Sequence, residues 1–229
     1  MGQKSRMYAE AKTWNPFKGC EFDCTYCRLS FQRQAKRRKR NCMACYGYVP
    51  HEHPERLTKI PSAKIIFVAG NGDIAFAGPR FVRRIIEAIR KHGECCPRKT
   101  FYLQSKRPEC LEPFLSELPE NVILLTTLET NRDEGYRKVS KAPLPSARYE
   151  QFLNLRYPRK VVTVEPIMDF DHDIFLKWLV DLSPQYVWIG YDSHPKDVIY
   201  PEPSKTKVNE LIRALREAKI AVKEKDMRE

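Results

Sequence analysis

No run of about eighteen apolar residues occurs in the 229-residue chain, so no transmembrane helix is expected. The opening residues, Met1-Gly2-Gln3-Lys4-Ser5-Arg6-Met7, hold no apolar segment of the kind that forms a secretory signal. A cytoplasmic location without a membrane partner is therefore expected. No Gly-x-Gly-x-x-Gly follows the first apolar strand-like run, which argues against a dinucleotide-binding Rossmann domain. There is no internal repeat, no low-complexity linker and no break in composition. One domain over residues 1–229 is expected, with a basic, cysteine-containing insertion at about 28–60. Disulfide scaffolds are small secreted domains, and this chain is not small and shows no secretory signal. Its eight cysteines point instead to metal binding or redox chemistry.

Hydrophobic residues make up 42 % of the chain, enough for a substantial core. From Lys64 onward short β-branched runs alternate with amphipathic stretches. Ile65–Ala69, Thr100–Leu103, Val122–Thr126, Lys160–Val164, Tyr186–Ile189 and Ile220–Val222 read as strands. Pro79–Lys91 places Phe81, Val82, Ile85, Ile86 and Ile89 on one helical face. Pro108–Leu118, Ser146–Leu155, Asp173–Leu182 and Lys205–Ala218 also read as helices. The alternation predicts an α/β fold of parallel strands with outer helices, a partial (β/α)6 TIM-like barrel. In such folds the active site lies past the C-terminal ends of the strands. The residues there are Asn71-Gly72-Asp73, Ser105-Lys106-Arg107, Glu129-Thr130-Asn131, Glu165, Tyr191-Asp192-Ser193 and Lys223-Glu224-Lys225. Each run is followed by a charged group, which predicts a shared polar site at the strand tips.

Cys20, Cys24 and Cys27 form Cys-x3-Cys-x2-Cys, with Tyr26 just before the last cysteine. Three thiolates this close can hold three corners of a cubane iron–sulfur cluster. Four cysteines are the usual ligands of an electron-transfer cluster. A three-ligand site leaves one iron open, and an open position is a place for chemistry.

This motif resembles the signature of the radical S-adenosylmethionine (SAM) superfamily. Thr13–Cys20, His53–Leu57, Ser105–Pro108 and Val164–Pro166 also resemble a branch of it found in phages, bacteria and archaea. The resemblance spans roughly Thr13 to Ser193. It implies a 4Fe–4S cluster on Cys20, Cys24 and Cys27, with SAM on the open iron. It implies reductive cleavage of SAM and hydrogen abstraction from a substrate. It also implies a reductant such as ferredoxin or flavodoxin. A first strand would precede the cysteine loop, making Ile65–Ala69 the second. Tyr26 would cover the cluster near the adenine. Asn71, Gly72 and Asp73 stand where a Gly-Gly-Glu-like motif holds the SAM amino group. Ser105 joins these as a cofactor contact, and Glu129 stands at the ribose position. Lys106 or Arg107 would pair with the SAM carboxylate or a substrate phosphate. Lys106, Glu165 and Asp192 are the expected catalytic groups.

Two features remain. Cys42-x2-Cys45, followed by His51 and His53, could hold zinc, or an auxiliary cluster with Cys95, Cys96 or Cys110, or be two reduced thiols. The net charge is +12, and residues 1–60 hold 13 Lys+Arg against 5 Asp+Glu, a surplus of 8. Lys36-Arg37-Arg38-Lys39-Arg40 is its centre, with Arg28 and Arg33 before it and Tyr46 and Tyr48 after. Basic and aromatic residues interleaved in this way suit phosphate contact and base stacking. The expected function is thus a radical SAM enzyme acting on RNA or DNA. The alternatives are a radical SAM enzyme acting on a peptide or small molecule, and a metal-stabilised nucleic-acid-binding module without catalysis.

Overall fold

Strand β1 (Ala11–Trp14) precedes the cysteine loop and pairs in parallel with β4 (Ile65–Val68). A computed structural model describes residues 11–38, 41–193 and 199–225. Between β1 and β4 lie the two-residue strands β2 (Phe17–Lys18) and β3 (His51–Glu52), which pair with each other antiparallel. The cysteine loop runs into α1 (Thr25–Cys27), a π turn at Arg28–Gln32, α2 (Arg33–Ala35) and a 3-10 turn at Lys36–Arg38. Helix α3 (Met43–Gly47) precedes β3.

The remaining chain alternates as its hydrophobic pattern predicts. Helix α4 (Pro79–Cys95) follows β4 and leads to β5 (Thr100–Gln104). A 3-10 stretch, Pro108–Glu117, leads to β6 (Val122–Thr127). Then come α5 (Pro145–Asn154), β7 (Lys160–Val164), α6 (His172–Asp181), β8 (Val187–Gly190), α7 (Lys205–Glu217) and β9 (Val222–Lys225). The seven strands β1-β4-β5-β6-β7-β8-β9 pair in that order, all parallel. They form a curled half-barrel sheet with helices around it. The count is the six strands read from Lys64 onward plus the one implied before the cysteines.

Two elements differ from the sequence reading. Pro108–Glu117 is 3-10 and not α; Pro113 lies inside it, and its ring would clash with the carbonyl four residues back in an α-helix. The last strand is Val222–Lys225, not Ile220–Val222. Ile220 ends α7 instead: its N–H bonds Leu215 O at 2.9 Å and its side chain enters the core, after a left-handed turn at Lys219 (φ 62°). β9 is an edge strand and carries the charges that edges tolerate.

The sheet has two unlike faces. Ile66, Val68, Phe101, Leu103, Leu124, Val162, Val164 and Ile189 face outward and pack beneath the helices. Phe81, Val82, Ile85, Ile86 and Ile89 of α4 cover them, each worth about 1.5–3 kcal/mol on full burial. On the inner face the side chains alternate with these at period two. Tyr102, Ile123, Leu125, Val161, Tyr186 and Trp188 fill the lower half of the concavity. Toward the C-terminal ends the same inward series turns polar: Gln104, Thr127, Thr163 and Glu165. That change, written into three strands, makes the floor of a site.

Candidate active site

The cavity above this floor has about 810 Å³ of space, counting its open mouth. Cys20, Cys24, Tyr26, Cys27, Gly72, Asp73, Lys106 and Glu165 all line it, as do Phe22, Tyr48 and Phe67. Eight of the twelve sequence-expected site residues therefore converge on one place. Among the described residues, no fourth cysteine lines it. All three cysteines are free.

The cysteine loop is clamped by backbone bonds from three distant segments. Gly19 N donates to Asn71 O at 3.0 Å, and Asp73 N donates to Gly19 O at 3.2 Å. Cys20 N donates to Tyr48 O at 3.3 Å. Thr25 N donates to Val139 O at 2.9 Å and Lys141 N to Phe22 O at 2.7 Å. The Ser140 hydroxyl lies 3.1 Å from Cys24 Sγ. Two glycines permit this density. Gly19 has φ 89°, and a Cβ there would sit 2.2 Å from Val49 O. A Cβ at Gly72 would sit 2.7 Å from Gly19 O. Gly19→Ala is expected to cost roughly 2–4 kcal/mol, from left-handed strain plus a backbone clash. Urea unfolding checks this, and a midpoint equal to the parent's would show that the loop has room to yield.

Asp73 stands at the tip of β4, 6 % exposed. Its Oδ1 accepts from Ala75 N at 3.0 Å and from the Ser105 hydroxyl at 2.7 Å. Its Oδ2 accepts from Lys106 N at 2.8 Å. Burial raises its pKa, against these three donors. Asp73 thus locks the β5 tip to the β4 tip and sets the direction of Lys106. Ser105 acts through this lock and does not line the cavity.

Behind Tyr26 and Lys106 lies a fully buried ionic network. The Lys106 ammonium donates to the Tyr26 hydroxyl and to Glu129 Oε1, and Tyr26 donates to the same oxygen. The Tyr136 hydroxyl donates to Glu129 Oε1 at 3.0 Å. Arg148 Nη1 lies 2.8 Å from Glu129 Oε2, and it donates to Thr127 O at 2.5 Å. Burial raises the Glu129 pKa, but the fields of Arg148 and Lys106 outweigh it and hold the carboxyl down to about 2. Two buried cations against one carboxylate leave a positive surplus. Cys24 lies within reach of that surplus. A hydrogen bond from Cys27 lowers its thiol first, burial opposes, and Lys106 and Ser140 lower it further, to about 6. The same coupling and burial raise Cys27, and burial raises Cys20. Of the three thiols, Cys24 is thus the one most readily deprotonated.

Glu165 lines the far side of the cavity. Burial raises its pKa first; Lys225, its ion-pair partner on β9, lowers it, and Asp192 raises it again. Lys225 also donates to the Ser193 hydroxyl at 2.9 Å.

Four expected site residues are placed elsewhere. Glu129 stands behind Tyr26 and Lys106 rather than at the cavity wall. Ser105 holds Asp73. Asn71 meets the cysteine loop through its backbone, its N–H donating to Asn15 Oδ1 at 3.0 Å. Asp192 lies off the wall, accepting from the Tyr200 hydroxyl at 2.7 Å. Arg107 lies over the Phe22 and Phe76 rings, 5.5 and 5.7 Å from their centroids. The sequence reading missed Gln104, Thr127 and Thr163, whose signal was a polar residue on the inward phase at a strand end. It also missed Arg148, for which a helix pattern gives no signal.

Among the described residues, Cys42 and Cys45 gather with His51 and His53, and not with Cys95, Cys96 or Cys110. Cys95 and Cys96 close α4 and gather with His92, whose Nε2 is 2.7 Å from the Lys99 ammonium. Cys110 packs against the core, its Sγ 3.6 Å from the Ser105 hydroxyl. Of the basic run, Lys39 and Arg40 lie outside the described residues. Arg33, Lys36 and Arg37 are exposed on the helical stretch whose Phe31 and Gln32 line the cavity.

No family model and no curated protein matches the chain. The fold is similar to that of SuiB from Streptococcus suis, solved with its precursor peptide SuiA, at 9 % identity and a TM-score of 0.60. That match covers 94 % of this chain and 48 % of SuiB, so the chain spans about half of that protein's length. It is similar to a radical SAM methyltransferase from Sphaerobacter thermophilus at 15 % identity and a TM-score of 0.56, over 90 % of this chain and 63 % of that one. It is similar to spore photoproduct lyase, as the C140S mutant, at 10 % identity and a TM-score of 0.60, over 98 % of this chain and 79 % of that one. No described helix is long and apolar enough to cross a membrane. At these identities the likeness is one of fold, and the partial parallel barrel is a fold that this chain shares with a radical SAM methyltransferase.

Proposed function

We propose that the chain is a radical SAM enzyme, holding a 4Fe–4S cluster on Cys20, Cys24 and Cys27. The observation that carries this reading is the convergence of three free cysteines on one cavity at the C-terminal ends of a parallel half-barrel. The donor set fits the cluster: three sulfurs, one of them readily deprotonated, and no fourth cysteine on the wall among the described residues. The cluster and SAM, when bound, supply one-electron cleavage of SAM to methionine and a 5′-deoxyadenosyl radical.

The protein's own groups bind and orient. Lys106 presents an ammonium to the cavity for a carboxylate, fixed in place by Asp73 and Glu129. Tyr26, held by its hydroxyl, offers an aromatic face to the adenine. Gln104, Thr127 and Thr163 supply short polar groups for hydroxyls. Glu165, with its pKa raised, is the group to hold or pass a proton, and Asp192 acts on it through its field. Phe22, Phe67 and Tyr48 keep the remaining walls apolar, which shelters a reactive species from water.

The test is anaerobic reconstitution with iron and sulfide, then reductant and SAM. 5′-Deoxyadenosine should form only when all four components are present. A fully loaded protein that forms none would sink the enzyme reading. Ferredoxin or flavodoxin is the proposed physiological reductant, and the cytoplasm the proposed compartment.

Nucleic acid is the proposed substrate. Its support is the exposed Arg33, Lys36 and Arg37 on the stretch that also forms the cavity mouth. Single-stranded RNA or DNA should bind with strong salt dependence. Arg33→Ala/Lys36→Ala/Arg37→Ala should lower the slope of log affinity against log salt by about 2. Absence of binding at low salt would leave the peptide or small-molecule reading. Binding without SAM cleavage would leave a non-catalytic module.

A further inference from the structure

A second set of ligating side chains stands outside the cavity. Cys42, Cys45, His51 and His53 each direct one donor atom inward, all within 4.8 Å of one another. The local chain explains why. Cys42 caps α3, and its sulfur accepts from Cys45 N at 3.4 Å, which turns both thiols to one side. His51 and His53 are two residues apart on an extended segment, so their rings share a face.

The histidine ring contacts are the second observation. His51 Nδ1 lies 2.6 Å from Val49 O, a carbonyl that can only accept. His53 Nδ1 lies 2.9 Å from the Glu55 carboxylate. With Nδ1 turned to an acceptor behind it, each ring directs its Nε2 inward. Those two Nε2 atoms face each other at 2.8 Å. Cys45 Sγ lies 3.2 Å from both of them, and Cys42 Sγ lies 3.5 Å from His51 Nε2. Two imidazole nitrogens and two sulfurs directed at one spot are a donor set for one metal ion. A backbone carbonyl and a carboxylate behind the imidazoles are the partners that orient histidine ligands on metals.

We propose that Cys42, Cys45, His51 and His53 form a closed zinc site that braces the cysteine loop. Tetrahedral bonds to zinc place S···N edges at about 3.5 Å and the N···N edge at about 3.3 Å. The Cys42–His51 separation of 3.5 Å matches, the two 3.2 Å separations from Cys45 lengthen by roughly 0.3 Å, and the N···N edge opens by about half an ångström. The donors mix sulfur and nitrogen around one point, so they suit one ion and not a two-iron cluster with its cysteines and histidines on separate irons. All positions are filled by protein, which makes the site structural. His92, Cys95 and Cys96 also lie close together, but the Lys99 ammonium occupies the His92 nitrogen there.

The bracing follows from contacts already described. β3 carries His51 and pairs with β2, next to Gly19 and Cys20. His53 N donates to Pro16 O at 2.6 Å. Tyr48 O holds Cys20 N, and Val49 and Pro50 press on Gly19. This inference stands apart from the radical SAM reading and does not need it.

Protein purified without iron reconstitution should hold about one zinc per chain. Cys20→Ala/Cys24→Ala/Cys27→Ala should keep it, and Cys42→Ser/Cys45→Ser should lose it. Cobalt titrated into zinc-stripped parent protein should give intense tetrahedral bands with thiolate charge transfer, displaced by zinc. That measurement decides the matter even if the serine variant does not fold. A zinc-free parent, iron at these residues, zinc unaffected by Cys42→Ser/Cys45→Ser, or a six-coordinate cobalt spectrum would each overturn the site. Stripping zinc should also speed hydrogen exchange at Gly19 and Cys20 by about tenfold or more. Unchanged exchange there would overturn the bracing.

Discussion

Glu129→Gln is expected to destabilise the protein by about 3–5 kcal/mol, the cost of leaving buried charges without their counterion. Lys106 is 8 % exposed, and Arg148 and Glu129 are 0 % exposed, so water cannot take over the carboxylate's task. The glutamine amide can still bond one donor but cannot offset two cations. Urea unfolding measures the loss. Glu129→Gln/Arg148→Met should recover part of it, since one cation leaves with the carboxylate. If the single variant unfolds at the parent's midpoint, the network is not a stabilising one. The same group fixes a pH dependence. Its pKa is depressed from 4.5 to about 2 on folding. A depressed carboxyl contributes stability that is present above its unfolded value and lost as pH falls through its folded one. Stability should therefore fall between about pH 4.5 and pH 2, by roughly 3 kcal/mol from this group. Glu129→Gln should flatten that part of the acid limb.

Cys24→Ala should abolish 5′-deoxyadenosine formation, to the level of a protein-free control. Cys24 is the buried member of the triplet and the one whose thiol is lowered by Cys27, Lys106 and Ser140. Its loss removes a ligand and also the counterion for the Lys106 side of the network. Iron bound on reconstitution should drop from about four per chain toward none, with loss of the broad visible absorption. Cys95→Ala, on the exposed end of α4, should leave both readouts unchanged. Full activity in Cys24→Ala would remove the triplet from the chemistry, whatever the cavity looks like.

Much of the framework was readable because it depends on hydrophobic pattern. Buried parallel strands are continuous apolar runs, so β4 to β8 stand out in the sequence. The cysteine triplet is local, and spacing alone discloses it. The outer strands were harder. β1 and β9 are edges with charged residues, and polar edge strands look like loops. The apolar Ile220 belongs to the end of a helix, which displaced the last strand in the sequence reading. The site itself was only half legible. Residues at strand tips could be named, but which of them face inward depends on register, a property of pairing and not of one run. Glu129 and Asp192 show the difference: both follow apolar runs, and neither lines the wall. Arg148 shows the limit. It sits on a helix face that ought to be apolar, and only Glu129, across a long separation in sequence, explains its presence there.

The three clamps on the cysteine loop have a consequence for the order in which the protein matures. Cys20, Cys24 and Cys27 come before the partners of their loop in the sequence. The groups that shape their loop come from Tyr48, from Asn71 to Asp73, and last from Val139 to Lys141. A nascent chain shorter than this would expose three thiols on an unformed loop, open to oxidation or to the wrong metal. Cys42, Cys45, His51 and His53 span only twelve residues and need no distant partner. The proposed zinc site can thus load first. The proposed cluster can be seated only after the segment through Lys141 has emerged and folded.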